Sequence, residues 1–276
     1  FINGRKSIIN YFKSIIQLNT ILHKKKFDLI HIHFGLTGLF LLFNPFMKTP
    51  TVVTLHGDDI NSSKLLGFMK LITKLVVRRV NKVIILNDKM STILKSHQSK
   101  LVKIPCGINV NGFRQSRENN SGNFLIGFPG DRRRPEKNFP LFNQIIEGLK
   151  EESYTVETIE FHNMTREEVA QSLRKLDCLI LTSTREGSPQ IIKEALASNI
   201  PIISTNVGDV QFLLDGVKNC YVIDSFSPPA FIDAVKKIQE LPANQRSSNG
   251  LERIYQIGLD DQSISKRIYQ MYKELT

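Results

Sequence analysis

Two glutamates eight positions apart, Glu186 and Glu194, are the most informative candidates for binding chemistry in this 276-residue chain. Glu186 lies in a polar loop after an apolar run, and Pro189 can open a helix at its first turn. Free amides near Gly187 and Ser188 would point out of that helix end, which suits a phosphate or a sugar hydroxyl. Glu194 falls inside the same helix, where a carboxylate can accept hydrogen bonds from a ribose diol. The spacing alone also fits a helix-start charge followed by an ordinary surface glutamate.

A second cluster of charged residues follows the first strand predicted in the second half of the chain. Arg132, Arg133, Arg134 and Lys137 all lie close to Gly130. A guanidinium group can bind a diphosphate through two parallel hydrogen bonds, whereas an ammonium group acts as a point charge. The alternative interpretation is a basic surface turn. The cluster therefore predicts a diphosphate site and leaves open which arginine takes part.

Histidines mark the corresponding position in the first half of the chain. His56 follows the apolar run TVVTL, at the carboxyl end of a predicted strand. His31 and His33 share an upstream strand, where we expect them in the core or at the strand end. As a metal pair they would need further ligands, and no such ligand spacing is present, so no metal is assigned.

The elements that must position these residues alternate regularly along the chain. Apolar runs predict strands at 27–34, 51–55, 82–86, 101–104, 124–128, 155–160, 177–182, 200–204 and 220–223. Helical patterns occupy 64–80, 88–96, 138–150, 165–175, 189–198, 209–214 and 228–240. This alternation predicts two doubly wound α/β domains. Ligands in such sheets bind beyond the carboxyl ends of the strands, so we expect the site in a cleft between the domains.

The length also favours two domains, and a polar stretch separates them. We predict a first domain at 1–112, a linker at 113–122, a second domain at 123–258 and a closing helical segment at 259–276. The three cysteines are dispersed and odd in number, which favours a reducing cytosol over a disulfide framework. The longest apolar stretch is interrupted and too short to cross a bilayer.

The net charge of +11 lies almost wholly in the first part of the chain. Residues 1–110 carry 17 Lys or Arg and 4 Asp or Glu, a balance of +13, and the remainder carries −2. Such a basic half suits an anionic membrane, an acidic substrate or a nucleic acid, and an incidental solvated surface is the alternative.

Several segments together resemble glycosyltransferase family 4. The run EGSPQIIKE resembles the E-x7-E signature of that family, and the flanking DCLILTS and EALASNIPIISTNVGD match it as well. The segments FPGDRRRPEKN, TPTVVTLHGDDI, FDLIHIHFGLTG and KIPCGINVNGF resemble further parts of it. The resemblance implies the GT-B fold, in which two Rossmann-like domains face each other across a cleft. It also implies that the first, acceptor-side domain lacks one or two βα units at its start, and that the last helix packs back toward it.

The same resemblance implies roles for individual residues. Glu186 would contact the donor sugar, and Glu194 would hold the ribose. Lys137, with Arg132 or Arg133, would bind the diphosphate, and His56 would lie against the donor sugar. The loop and helix start would complete the donor site with Gly187, Ser188, Pro189 and Gln190.

The activity implied is that of a retaining, metal-independent glycosyltransferase that requires no cofactor. It would move a sugar from a UDP- or GDP-sugar to a hydroxyl of a glycan or lipid-linked acceptor, in the synthesis of bacterial surface polysaccharide. We expect a cytoplasmic enzyme, peripheral on the inner face of the plasma membrane. The alternatives are a nucleotide-sugar epimerase of the same fold and a basic, non-enzymatic binding protein. The chain offers no aromatic-interleaved basic strand or zinc motif for nucleic-acid binding.

Overall fold

The computed structural model describes residues 8–56, 58–61, 67–114 and 123–276. The chain divides into two compact units, one formed by residues 1–105 with 265–276 and the other by 106–264. Each unit is built around one parallel β-sheet, which confirms the predicted α/β class. The first unit ends before the predicted domain boundary at residue 112. Most of the predicted linker lies outside the described residues, since only its first two residues are described.

The first unit contains a four-stranded sheet in the order β1-β2-β3-β4. Its strands are β1 (Ile30–His33), β2 (Thr51–Thr54), β3 (Lys82–Ile85) and β4 (Leu101–Lys103). The helices among them are α1 (Ile8–Lys24), α2 (Asp58–Asn61), α3 (Gly67–Arg79) and α4 (Asp88–Ile93). Every residue of β2 is buried, as expected of a short apolar strand covered on both faces of a parallel sheet.

Two segments of the first unit form 3₁₀ helices. The apolar segment after β1 is a 3₁₀ helix over Gly35–Phe43, packed so closely on α3 that a Cβ on Gly35 would clash with the Thr73 side chain. The predicted helix at 88–96 ends at Ile93. A 3₁₀ segment, Lys95–Lys100, follows and is interrupted by the non-helical backbone of His97.

The second unit contains a five-stranded sheet in the order β6-β5-β7-β8-β9. Its strands are β5 (Phe124–Phe128), β6 (Val156–Glu160), β7 (Cys178–Leu181), β8 (Ile202–Thr205) and β9 (Tyr221–Ile223). Its helices are α5 (Phe139–Glu151), α6 (Arg166–Lys175), α7 (Gln190–Ala197), α8 (Val210–Leu214), α9 (Pro228–Gln239) and α10 (Gly250–Gln256), and the last helix, α11 (Asp261–Lys273), starts in this unit. Each strand predicted for this unit is present, with bounds shifted by at most two residues.

The strand order of the second sheet identifies where a ligand is expected. The chain runs from β5 outward to β6 and then crosses back to β7 on the opposite side of β5. The order therefore reverses between β5 and β7, and such a reversal creates a crevice at the carboxyl ends of the two strands. The loops that follow β5 and β7 lie at this switch point.

The closing helix α11 begins in the second unit, and from Ser265 onward the chain belongs to the first. Within the first unit, the Arg267 guanidinium donates to the Lys103 carbonyl at 2.7 Å, and the Tyr272 hydroxyl is hydrogen-bonded to His31 of β1. This is the segment that the resemblance predicts to pack on the first domain. In the described part of the chain, the helices are all too short or too polar to cross a membrane.

Candidate donor-binding site

The loops after β5 and β7 are joined to each other by hydrogen bonds. The Thr184 amide donates to the Glu136 carbonyl at 2.9 Å, and the Thr182 hydroxyl donates to the Lys137 carbonyl at the same distance. These bonds align the cationic loop with the start of the E-x7-E segment. Residues almost fifty positions apart in the sequence are thereby held at one edge of the sheet.

Lys137 and Glu186 form an ion pair at this edge. Lys137 Nζ lies 2.8 Å from Glu186 Oε1, and their side chains are 14% and 16% exposed. The Ser183 hydroxyl donates to the same carboxylate oxygen at 2.7 Å. The Lys137 stem lies over Gly130, where a Cβ would come within 2.9 Å of Lys137 Cε. The pair is thus a largely buried, hydrogen-bonded unit.

The neighbouring arginines have other partners. Arg132 Nε donates to Glu160 Oε2 at 2.5 Å, and its guanidinium lies 5.0 Å from the centre of the Phe139 ring. Arg133 makes a two-point contact with Asp131, at 2.9 and 2.8 Å, which holds the pKa of that carboxyl well below its usual range. Of the residues predicted to form a diphosphate clamp, the structure places only Lys137 beside Glu186. The assignment of Arg132 or Arg133 remains a prediction.

The segment between Glu186 and α7 rests on the loop after β8. The Ser188 hydroxyl donates to Asp209 Oδ2 at 2.6 Å. Gly208 adopts a φ of +60°, and a Cβ at that position would lie 2.5 Å from the Gly187 carbonyl oxygen. The helix begins at Gln190 with Pro189 as its N-cap, one residue later than predicted. A close approach that requires glycine therefore sets the position of the 186–188 loop.

The side chain of Gln190, predicted to join the donor site, has a different contact in the structure. Its amide donates to the Gly107 carbonyl at 3.0 Å, within the second unit. This bond ties the first turn of α7 to the segment that opens the unit. The amide oxygen of Gln190 and its second N–H are not used in this bond.

Glu194 lies on α7 with only 3% of its surface exposed, and Arg166 of α6 forms an ion pair with it. Burial raises the pKa of the Glu194 carboxyl, while Arg166 and the neighbouring Lys193 oppose that shift. Arg166 is not among the site residues predicted from the sequence. A Thr165 cap with Glu168 three residues later was the available signal, because this capping-box pattern places Arg166 at the helix start.

A fully buried lysine is a second residue of this region that the sequence pattern does not predict. Lys193 is 0% exposed, and its ammonium donates to the Cys106 carbonyl at 2.7 Å. Burial lowers its pKa, whereas Asp209 and Glu194 favour the charged form. Lys193, which lies within the E-x7-E segment, therefore links α7 to Cys106 at the start of the second unit.

His56 lies in the first unit, at the carboxyl edge of the sheet as predicted. Its side chain is exposed, its backbone amide donates to Asp59 Oδ1 at 2.9 Å, and its ring stacks on His33 with centroids 5.8 Å apart. His33 in turn stacks on His31, whose pKa falls to about 4 because of burial and the two neighbouring imidazoles. Among the described residues, no group of three or more His, Cys, Asp or Glu is arranged to hold a metal ion.

Comparisons with known proteins cover most of the chain. Residues 1–111 match the family described as Glycosyltransferase Family 4, and residues 125–240 match Glycosyl transferases group 1. The chain is 26% identical over 282 residues to the putative teichuronic acid biosynthesis glycosyltransferase TuaC of Bacillus subtilis, across 90% of this chain and 71% of that protein. It is 22% identical over 281 residues to the UDP-Gal:alpha-D-GlcNAc-diphosphoundecaprenol alpha-1,3-galactosyltransferase of Escherichia coli, across 85% and 72%. The fold is similar to that of Anabaena HepE in complex with UDP, with a TM-score of 0.75, 16% identity, and coverage of 95% and 82%.

Proposed function

Since this chain belongs to the family 4 type of glycosyltransferase, we propose that it is a retaining enzyme that uses a UDP- or GDP-sugar as donor. The acceptor would be a hydroxyl of a glycan or lipid-linked glycan in bacterial surface polysaccharide synthesis. The observation that carries this proposal is the Lys137–Glu186 ion pair at the switch point of the second sheet. The activities named for TuaC and for the Escherichia coli galactosyltransferase, together with the UDP bound to HepE, support the choice of donor and acceptor classes.

Each charged group of the switch point has a task in this proposal. Lys137 would neutralise the donor diphosphate and stabilise the charge that develops as the nucleotide leaves, an electrostatic contribution that is often the largest in catalysis. Glu186, already hydrogen-bonded by Ser183, would orient the sugar. Glu194 would accept hydrogen bonds from the ribose hydroxyls. Retention of anomeric configuration and the role of His56 rest on the family resemblance.

Nucleotide binding by the full chain tests the donor site. A thermal-shift screen with UDP, GDP, ADP and their sugars should show a raised melting temperature for one base, because a ligand that binds only the native state stabilises it. In calorimetry, Lys137→Ala should then bind the nucleoside diphosphate about tenfold or more weakly than the wild type, with little change in affinity for the nucleoside. Glu194→Ala should weaken the binding of both the nucleoside diphosphate and the nucleoside.

Lys150→Ala is the matched control for Lys137→Ala. Lys150 is an exposed lysine of α5 whose ammonium lies 3.5 Å from Glu147, so its loss should leave nucleotide binding unchanged. If Lys137→Ala and Glu194→Ala both bind as the wild type does, the site is misplaced. If no nucleotide binds the wild type, the donor class is wrong.

A membrane-bound acceptor would also explain the charge of the first unit. Residues just before β1, β2 and β3 lie at the amino edge of a parallel sheet, opposite the edge that carries His56. This amino-edge face includes one exposed acid, Asp28, and the exposed side chains Lys24, Lys25, Lys26, Phe27, Phe43, Phe46, Lys48 and Arg79. Phe46 is 91% exposed and Phe43 is 59% exposed. Basic groups each contribute about 1 kcal/mol at an anionic bilayer, and aromatic side chains insert at its interface.

Co-sedimentation with vesicles tests this peripheral association. The wild type should sediment with vesicles of phosphatidylglycerol and phosphatidylcholine at physiological salt, and not with phosphatidylcholine alone. The Phe43→Ser and Phe46→Ser double variant should lose most of that binding. Phe226→Ser, at a residue of the second unit that is 53% exposed, is the control and should bind normally. Equal sedimentation with both vesicle types would exclude the proposal.

A further inference from the structure

The buried carboxylate of Glu194 has an ion-pair partner from another helix. Glu194 is 3% exposed, and the Arg166 guanidinium of α6 donates to its Oε1 atom. Taking an ionised carboxylate out of water is unfavourable unless a partner compensates. In the proposed function, Glu194 must be ionised to accept hydrogen bonds from two ribose hydroxyls. Arg166 therefore controls whether the Glu194 carboxylate is ionised and able to bind the ribose.

Arg166 is held in place from two sides. It is the first residue of α6, and the preceding Thr165 forms a reciprocal capping box with Glu168 that fixes the helix start. Its guanidinium carbon lies 5.6 Å from the centre of the Phe113 ring, an arrangement that favours a cation. Phe113 is itself buried, and its carbonyl accepts a bond from the Ser198 hydroxyl, 3.2 Å away at the end of α7.

We propose that Arg166 is a positioning residue for the donor's ribose: it keeps the Glu194 carboxylate ionised and in one orientation while leaving Oε2 available to the ribose hydroxyls. The inference rests on the proposed function and adds a residue to it. The guanidinium uses one side of the carboxylate, and a carboxylate has about four acceptor positions, so a diol can still bind.

Among the described residues, Lys193 is the other charge that acts on Glu194 besides Arg166. On its own helix, Lys193 stabilises the charged carboxylate. Charged groups on the neighbouring helices have other partners. Asp209 at the start of α8 favours the charged form of Lys193, and Arg253 of α10 lies 3.8 Å from Asp215. Arg166 is thus the cation that pairs directly with the carboxylate. Its removal should raise the pKa of Glu194 further, because burial already raises it.

The experiment is calorimetric titration of UDP into the full chain across pH 5 to 8. Arg166→Gln should weaken UDP binding by about tenfold at pH 7.5. The midpoint at which binding is lost on acidification should move upward by about one pH unit. Arg166→Lys keeps the charge without the planar fork, so it should restore most of the midpoint and only part of the affinity. Arg114→Gln, which removes an exposed positive charge beside Phe113, should match the wild type.

Two further measurements distinguish positioning from loss of structure. With 2′-deoxy-UDP the penalty of Arg166→Gln should shrink, because one of the two ribose hydroxyls is absent. In a Glu194→Gln background, Arg166→Gln should add little, as a double-mutant cycle would show. If Arg166→Gln binds UDP as tightly as the wild type, or more tightly, with the same midpoint, the inference is overturned and the donor site stands. If the wild type binds neither UDP, GDP nor ADP, the proposed function fails first.

Discussion

Gly208 offers a sharp test of how the E-x7-E loop is positioned, since it carries no functional group. Its φ is +60°, in the left-handed region, and a Cβ would lie 2.5 Å from the Gly187 carbonyl oxygen and 3.2 Å from the Glu186 carbonyl oxygen. Gly208→Ala should therefore displace the loop that carries Glu186. The loop cannot avoid the contact by a side-chain rotation, because the clashing atoms belong to the backbone.

The size of the effect of Gly208→Ala on activity follows from the distance of this clash. An ordinary contact begins at 3.4 Å, so the carbonyl must move by 3.4 − 2.5 = 0.9 Å. A misplacement of about 1 Å in a catalytic group can cost about a hundredfold in rate. The left-handed backbone adds about 1 kcal/mol of instability for alanine. We expect transferase activity to fall about a hundredfold, whereas global stability should fall only modestly.

Gly216→Ala separates these two effects. Gly216 has a φ of +71°, and nothing lies within 4 Å of the position that a Cβ would take, so it shares the backbone strain without the clash. The assay compares melting temperature, UDP affinity and sugar transfer for the two variants. Both should lose similar stability, and only Gly208→Ala should lose donor binding and activity. Equal activity in the two variants would refute the reasoning.

Two further predictions concern buried or partly buried charges. Lys193→Met removes the ammonium that binds the Cys106 carbonyl and leaves that acceptor and Asp209 without this cation. The free energy of unfolding, measured by thermal melts, should therefore fall by about 3 kcal/mol. Lys95→Met, at an exposed lysine, is the control and should leave it unchanged. His31 has a folded pKa of about 4 against 6.5, so the unfolded chain takes up its proton first as the pH falls; stability should be complete above pH 6.5 and decline toward pH 4. Because His31 is only partly buried, we expect the free energy of unfolding to fall by about 1 kcal/mol at pH 5. Urea unfolding followed by amide exchange in β1 should show a smaller fall in His31→Gln. A larger decline in the variant than in the wild type would contradict this.

The element pattern of the second unit was predictable because its signals are local. Apolar runs such as 177–182 and the helical spacing of 228–240 are written in neighbouring residues, and the observed strand and helix lie within these ranges. The first unit was less regular. Its segment at 35–43 is a 3₁₀ helix packed closely on α3, where packing competes with local preference. The predicted helix at 88–96 ends at Ile93, and nothing in the structure explains this break.

The sequence by itself therefore determined the α/β alternation, the E-x7-E segment and the proximity of a cationic loop to a strand end. Only the tertiary structure decided which charges meet. Lys137 pairs with Glu186 across 49 positions and Arg166 with Glu194 across 28, whereas Arg132 pairs with Glu160. Such pairs depend on a sheet order that reverses between β5 and β7, and on which side chains lose their water. Neither depends on neighbours in the chain, so spacing could nominate these residues but could not pair them.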